Sequence, residues 1–272
     1  MKIYSRLKII VFSLISLGLV FYPSFSAHRQ LAKAENNYPP LDKLSLPILM
    51  YHHVKPLTGR EDQMQIGLTT TDQSFANQLK ALRDNGYQTF FAGEIPDLLA
   101  GKMLASQQSV ALTFDDGYDD FYNFAFPLLK EYQFKATVYI IYNAINAPGY
   151  LTENQIKEMV ASGLVEIGSH TLDHVDLKKA SSAEARRQIV LSKNQLEARF
   201  KIKVKTFAYP FGYFKPETIS LVKTTGYTSA VSVIPGDIQT KDNLFSLPRL
   251  RPKNLMGEKF KVELLQKYHF QK

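Results

Sequence analysis

Ser109-Val110-Ala111-Leu112-Thr113-Phe114-Asp115-Asp116-Gly117 is an apolar run that stops abruptly on two adjacent acids and a glycine. A short apolar segment bounded by turn residues reads as a buried strand. A carboxylate pair directly beyond such a strand is poorly solvated, with two like charges side by side. One of the two then wants a cation, while the other keeps its charge and accepts protons. Alone, Asp-Asp-Gly is a common turn; its place after a buried strand is what gives it weight.

The same unit recurs on both sides. Pro47 to Tyr51 is a short apolar strand ending in His52-His53. Asp72 can cap a helix through about Asn85, with Phe75, Leu79 and Leu82 on one face and Gly86 as its stop. A short helix is expected over Ala92 to Ala100, and another after the acid pair through Tyr132. Ala136 to Ile141 is a strand, Thr152 caps a helix to Ala161, and the strand Leu164 to Gly168 runs into Ser169-His170. Ser181 to Phe200 is a periodic helix, Thr206 to Tyr209 a strand ending at Pro210, Lys215 to Thr225 a helix, and Tyr227 to Val233 a strand. Strand and helix alternate roughly seven times, which predicts a single-domain α/β protein with a parallel sheet, closed or open.

In such folds chemistry gathers at the C-terminal ends of the strands. Four of the six histidines, His52, His53, His170 and His174, fall at those ends, as do Asp115 and Asp116. His170-x-x-x-His174 puts two imidazoles on one face if the segment forms a helical turn. Two imidazoles and one carboxylate make three protein ligands and leave a position open, the pattern of a catalytic rather than a structural metal. The chain has no cysteine, so a thiolate site and a disulfide framework are both excluded. A hydrolase with an aspartate base also needs a general acid, and His52 or His53 is the remaining strand-end imidazole. His28 and His269 lie in a linker and a Lys-rich tail. Tyr209-Pro210-Phe211-Gly212 reads as a strand-end turn, with the Phe211 N–H available to a developing oxyanion and aromatic rings available to a sugar.

Lys2, Arg6 and Lys8 precede the apolar run Ile9 to Tyr22. Residues 1–26 therefore read as a signal peptide or N-terminal membrane anchor, 27–46 as a Pro-interrupted linker, and 47–272 as the domain. The rest of the chain is expected to be exported. Three of the 33 Lys and Arg residues lie in the first 26 positions, leaving 30 against 25 acids. That mild excess suits an anionic cell envelope or membrane surface, and no basic stripe with interleaved aromatics argues for nucleic acid.

Thr113-Phe114-Asp115-Asp116-Gly117 and Ser169-His170-Thr171-Leu172-Asp173-His174 resemble the first two motifs of the polysaccharide deacetylases, carbohydrate esterase family four. The resemblance covers roughly residues 47–250. It implies a distorted (β/α)7-type barrel and metal-dependent removal of N-acetyl groups from a glycan. By the resemblance Asp116, His170 and His174 hold a divalent metal, zinc first, with cobalt, nickel or iron as alternatives. Asp115 is the base, and Phe211 supplies the backbone oxyanion donor. Leu46 to His53 is similar to the branch that acts on poly-β-1,6-N-acetylglucosamine, a biofilm exopolysaccharide, in which the acid histidine lies near the N-terminal end of the domain; it matches His52. Substrate contacts are expected from Tyr209, Phe211, His53 and Arg249. Two departures stand out. Ala208 occupies the place of an Arg that orients the base in many members, leaving Arg249 or Arg251 to substitute, and the chain has no Trp to line the groove. Peptidoglycan or chitin oligomers are the alternative substrates, and an inactive glycan-binding relative the alternative class.

Overall fold

The structure, a computed structural model, describes residues 38–266. The proposed signal or anchor, the first part of the linker, His28 and His269 lie outside the described residues. In chain order the strands are β1 (Lys43–Ser45), β2 (Ile48–Tyr51), β3 (His53–Val54), β4 (Thr69–Thr70), β5 (Gln88–Phe90), β6 (Ser109–Phe114) and β7 (Ala136–Ile140). They continue with β8 (Val165–Ser169), β9 (Thr206–Ala208), β10 (Ser229–Val231) and β11 (Ile238–Thr240).

Seven of these form one parallel sheet in the order β10-β9-β8-β7-β6-β2, with β5 paired to the first half of β6. Helices connect the strands, so both faces are covered and the strands read as apolar runs rather than alternating ones. All six residues of β6 are buried. The two faces nevertheless differ. Val110, Leu112 and Phe114 join Phe75, Leu79, Leu82, Phe126, Ile156 and Ile189 in the layer between sheet and helices. Ala111 points the other way, into an inner cluster with Ile48, Tyr139, Ala208, Val231 and Leu247. Each large apolar side chain so buried contributes about 1.5–3 kcal/mol.

The sheet curls until an irregular segment, Leu247 to Leu250, bridges its two edges. Leu247 N donates to Ala230 O at 2.8 Å on the β10 side, and Leu250 N to Ile48 O at 2.8 Å on the β2 side. The result is the (β/α) barrel that the resemblance implied, closed by a segment that carries Arg249. Residues 38–46, the end of the stretch read as a linker, lie against the domain. There β1 pairs antiparallel with β11, and Leu44 and Leu46 are buried.

Helix ends follow the expected chemistry with small shifts. Thr152 caps the helix Glu153–Ala161 through a capping box with Gln155. The cap of Asp72–Asp84 is Thr71, one residue before the expected Asp72, and its hydroxyl accepts from Ser74 N. Such a cap contributes about 1 kcal/mol. The long helix begun by Ser181 passes through a π-helical stretch at Arg187–Leu191 before continuing as Ser192–Phe200.

Candidate active site

Every strand end that carried a chemical residue in the sequence opens on the same mouth of the barrel: β2 into His52, β6 into Asp115 and Asp116, β8 into His170, β9 into Tyr209 to Phe211. Asp116, His170 and His174 bring one ligand atom each to within 4.8 Å of the others. Asp116 Oδ1 lies 3.3 Å from His170 Nε2 and 3.4 Å from His174 Nε2, and it is buried without a hydrogen-bond partner. His170 Nδ1 faces the Ala208 carbonyl at 2.8 Å. A carbonyl can only accept, so the proton sits on Nδ1 and the Nε2 lone pair is left for the cluster. An orphaned buried carboxylate oxygen and a correctly poised imidazole lone pair are what a divalent cation requires, and the donor set fits one.

The route to this convergence differs from the helical turn expected for His170 and His174. Residues 171–173 form tight turns, and Thr171 and His174 take φ of 70° and 56°. His174 N donates to Thr171 Oγ1 at 2.9 Å. The loop is held from below by Gln188, a residue the sequence reading passed over. Its Oε1 accepts from Leu172 N and Asp173 N, both at 2.9 Å, and its Nε2 donates to Asp173 Oδ2 at 2.6 Å. The available signal was a glutamine on the buried face of a helix, beside Ala185 and Ile189. Asp116 and Phe211 also have left-handed backbones, φ 74° and 60°. Four such non-glycine residues in one site store strain on the order of 1–3 kcal/mol each.

Asp115 is held differently. Arg249 Nη1 and Nη2 donate to Asp115 Oδ1 and Oδ2, each at 2.7 Å, while Nε donates to Ser232 O at 2.7 Å and Nη1 also reaches Thr113 Oγ1 at 3.2 Å. Burial by itself would raise the Asp115 carboxyl; the adjoining Arg249 charge and its bonds outweigh that and hold it below the ordinary range. Arg249 is 2% exposed, so it underlies Asp115 and has no surface left for a glycan. Arg251 is exposed. His52 Nε2 stands 4.0 Å from Asp115 Oδ2. Burial lowers the His52 imidazole against the opposing pull of Asp115 and Asp116.

His53 has other partners. Its Nδ1 is 2.5 Å from Asp120 Oδ2, its ring stacks on Tyr118 at 3.7 Å, and Asp120 Oδ1 accepts from Val54 N at 3.1 Å. Tyr209 is buried, with its hydroxyl donating to Phe245 O at 2.9 Å, so its ring belongs to the core rather than to a sugar subsite. Phe211 is exposed, with its ring 4.5 Å from that of His174.

A protein-family profile described as polysaccharide deacetylase matches residues 103–230. The Bacillus subtilis (strain 168) protein YxkH, assigned to the polysaccharide deacetylases, is 35% identical over 206 residues, 76% of this chain and 71% of that one. A poly-beta-1,6-N-acetyl-D-glucosamine N-deacetylase of Staphylococcus epidermidis is 26% identical over 245 residues, 82% of this chain and 84% of that one. Among solved structures, the Streptococcus pyogenes deacetylase PplD in complex with acetate matches with a TM-score of 0.74 at 30% identity, covering 82% of this chain and 98% of that one. IcaB from Ammonifex degensii matches at 0.67 and 26% identity, covering 84% and 100%. With 35% identity to one relative over most of both chains and a shared fold, the chain belongs to the polysaccharide deacetylase family, carbohydrate esterase family four.

Proposed function

We propose that this polysaccharide deacetylase removes N-acetyl groups from poly-β-1,6-N-acetylglucosamine outside the cell, using a divalent metal, zinc first, held by Asp116, His170 and His174. The observation that carries the chemistry is the pairing of an orphaned Asp116 oxygen facing two imidazoles with a separately clamped Asp115 alongside. The substrate reading rests on the resemblance of residues 46–53 to the β-1,6 branch and on the Staphylococcus epidermidis relative, whose alignment spans 82% of this chain. Export rests on the basic and apolar N-terminal segment alone.

A divalent cation at that cluster, when bound, supplies Lewis acidity at the amide carbonyl and lowers the pKa of a water toward about 7. The chain's own residues do the rest. Asp115, with both oxygens fixed by Arg249, stays ionised and accepts a proton from the attacking water. The Phe211 N–H donates to the carbonyl oxygen as negative charge develops there. His52 protonates the departing nitrogen, a step amide hydrolysis needs because an amine anion is a very poor leaving group. Asp115 Oδ2 stands 4.0 Å from His52 Nε2, and the water proton that Asp115 takes balances the one that His52 gives to the nitrogen. The C–N bond breaks, the water oxygen remains with acetate, and the His52 proton ends on the amine.

The test is acetate release from β-1,6-linked N-acetylglucosamine oligomers beside β-1,4-linked ones. Faster release from the β-1,6 series is expected. Release from the β-1,4 series alone keeps the chemistry and moves the substrate to chitin or peptidoglycan. No release from either overturns the proposal.

A further inference from the structure

Phe211 and Tyr213 are 53% and 51% exposed at the mouth of the cleft. Their ring centroids are 6.0 Å apart with planes tilted by 31°, and the Phe211 ring lies 4.5 Å from that of His174. One ring therefore touches the cluster and the other stands beside the first.

The loop that presents them is tightly bonded and packed. Gly212 N donates to Tyr209 O at 2.9 Å and Tyr213 N to Pro210 O at 3.1 Å. Gly212 has φ 73°, and a Cβ there would stand 2.2 Å from Val233 Cγ2, so the turn is pressed against its neighbour. Beneath it, buried Tyr209 packs on Phe214 with centroids 4.6 Å apart. Holding Phe211 left-handed and leaving two aromatic rings in water both cost free energy. A flat, apolar, pre-organised surface continuous with a cleft suits a ligand that also has flat apolar faces, and a pyranose presents such faces with its axial C–H bonds.

We propose that Phe211 and Tyr213 form a platform for the sugar next to the one being deacetylated, on the His174 side of the cleft, and that Tyr213 sets a preference for polymer over monosaccharide. This rests on the glycan deacetylase reading above. It gives the chain an apolar sugar contact in a groove that has no Trp.

The test follows acetate release from the monosaccharide up to the hexasaccharide, in whichever linkage the metal-loaded wild type accepts. Wild type, Tyr213→Ala and Tyr213→Phe are compared. In the wild type KM should fall as the chain lengthens. Tyr213→Ala should shrink the ratio of monosaccharide KM to hexasaccharide KM by roughly fivefold, the size of one exposed aromatic contact. Tyr213→Phe should keep the wild-type ratio, because the ring alone is required. An unchanged ratio in Tyr213→Ala, or a kcat loss spread evenly over all lengths, overturns the platform and leaves the proposed reaction standing. A wild type that releases no acetate at any length overturns both.

Discussion

Asp115 depends on Arg249 for its charge. A carboxylate this deeply buried would be neutral without a partner, and a neutral acid cannot take a proton from water. The bidentate clamp keeps it ionised and fixes its plane, while Asp116 keeps one oxygen with no hydrogen bond at all. Two adjacent residues of one type are thus given different work by their partners. Replacing Asp115 with Asn should lower kcat by roughly 10²–10⁴-fold while metal content stays at the wild-type level. It should also destabilise the fold by roughly 3–5 kcal/mol, since Arg249 would lose its buried counter-ion. Retention of more than about a tenth of the wild-type rate would contradict the assignment of Asp115 as base. The candidate residues were legible because the strand ends announce them: Asp115, Asp116, His170 and His174 each follow an apolar run. What could not be read was which partners each would meet. Arg249 lies 134 positions from Asp115, in a Pro-containing segment with no strand periodicity, and Tyr209 looked available to a sugar although its backbone position turns the ring inward.

At the scale of elements, β8 shows how the inside of the barrel is filled. Gly168 pairs with Tyr139 of β7 across the ladder, and the Tyr139 ring lies over it. A Cβ on Gly168 would come within 2.4 Å of Tyr139 Cδ1. The Tyr139 hydroxyl meets Thr206 Oγ1 of β9 at 3.1 Å, so the ring is pinned at its far end and cannot swing aside. Gly168→Ala should therefore destabilise by about 1–3 kcal/mol through overpacking, read as a lowered midpoint in thermal unfolding. An unchanged midpoint would mean the inner cluster is looser than described. The main strands and helices could be drawn from the sequence because hydrophobic runs and caps are local signals; β6, the helix Glu153–Ala161 and the stop at Gly86 fall where the residues put them. Short pairings could not be drawn. Strand β5 has three residues and β1 pairs with β11 across most of the chain, and neither leaves a periodic pattern. The i, i+4 spacing of His170 and His174 suits a helical turn, but spacing alone cannot distinguish a helix from a loop whose backbone turns left-handed twice.

At the scale of the whole molecule, barrel closure and the clamp on Asp115 share one segment. Leu247 to Leu250 joins the β10 and β2 edges, and the same few residues set Arg249 beneath Asp115. A (β/α) barrel places all its strand ends at one mouth, which is why residues spread from His52 to Arg249 converge. Alternation of strand and helix was enough to expect a parallel sheet, closed or open, and the resemblance to the deacetylases implied the barrel. The manner of its closing could not be read, because the closing piece is too irregular to carry a pattern.

Everything proposed for the reaction turns on Asp116, His170 and His174 holding a metal ion. The most direct measurement is metal content and acetate release on one sample, before chelation, after it, and after zinc is returned. Chelation is expected to abolish release and about one equivalent of zinc per chain to restore it, as three protein ligands with an open position imply. Undiminished acetate release from protein shown to be free of metal would contradict it.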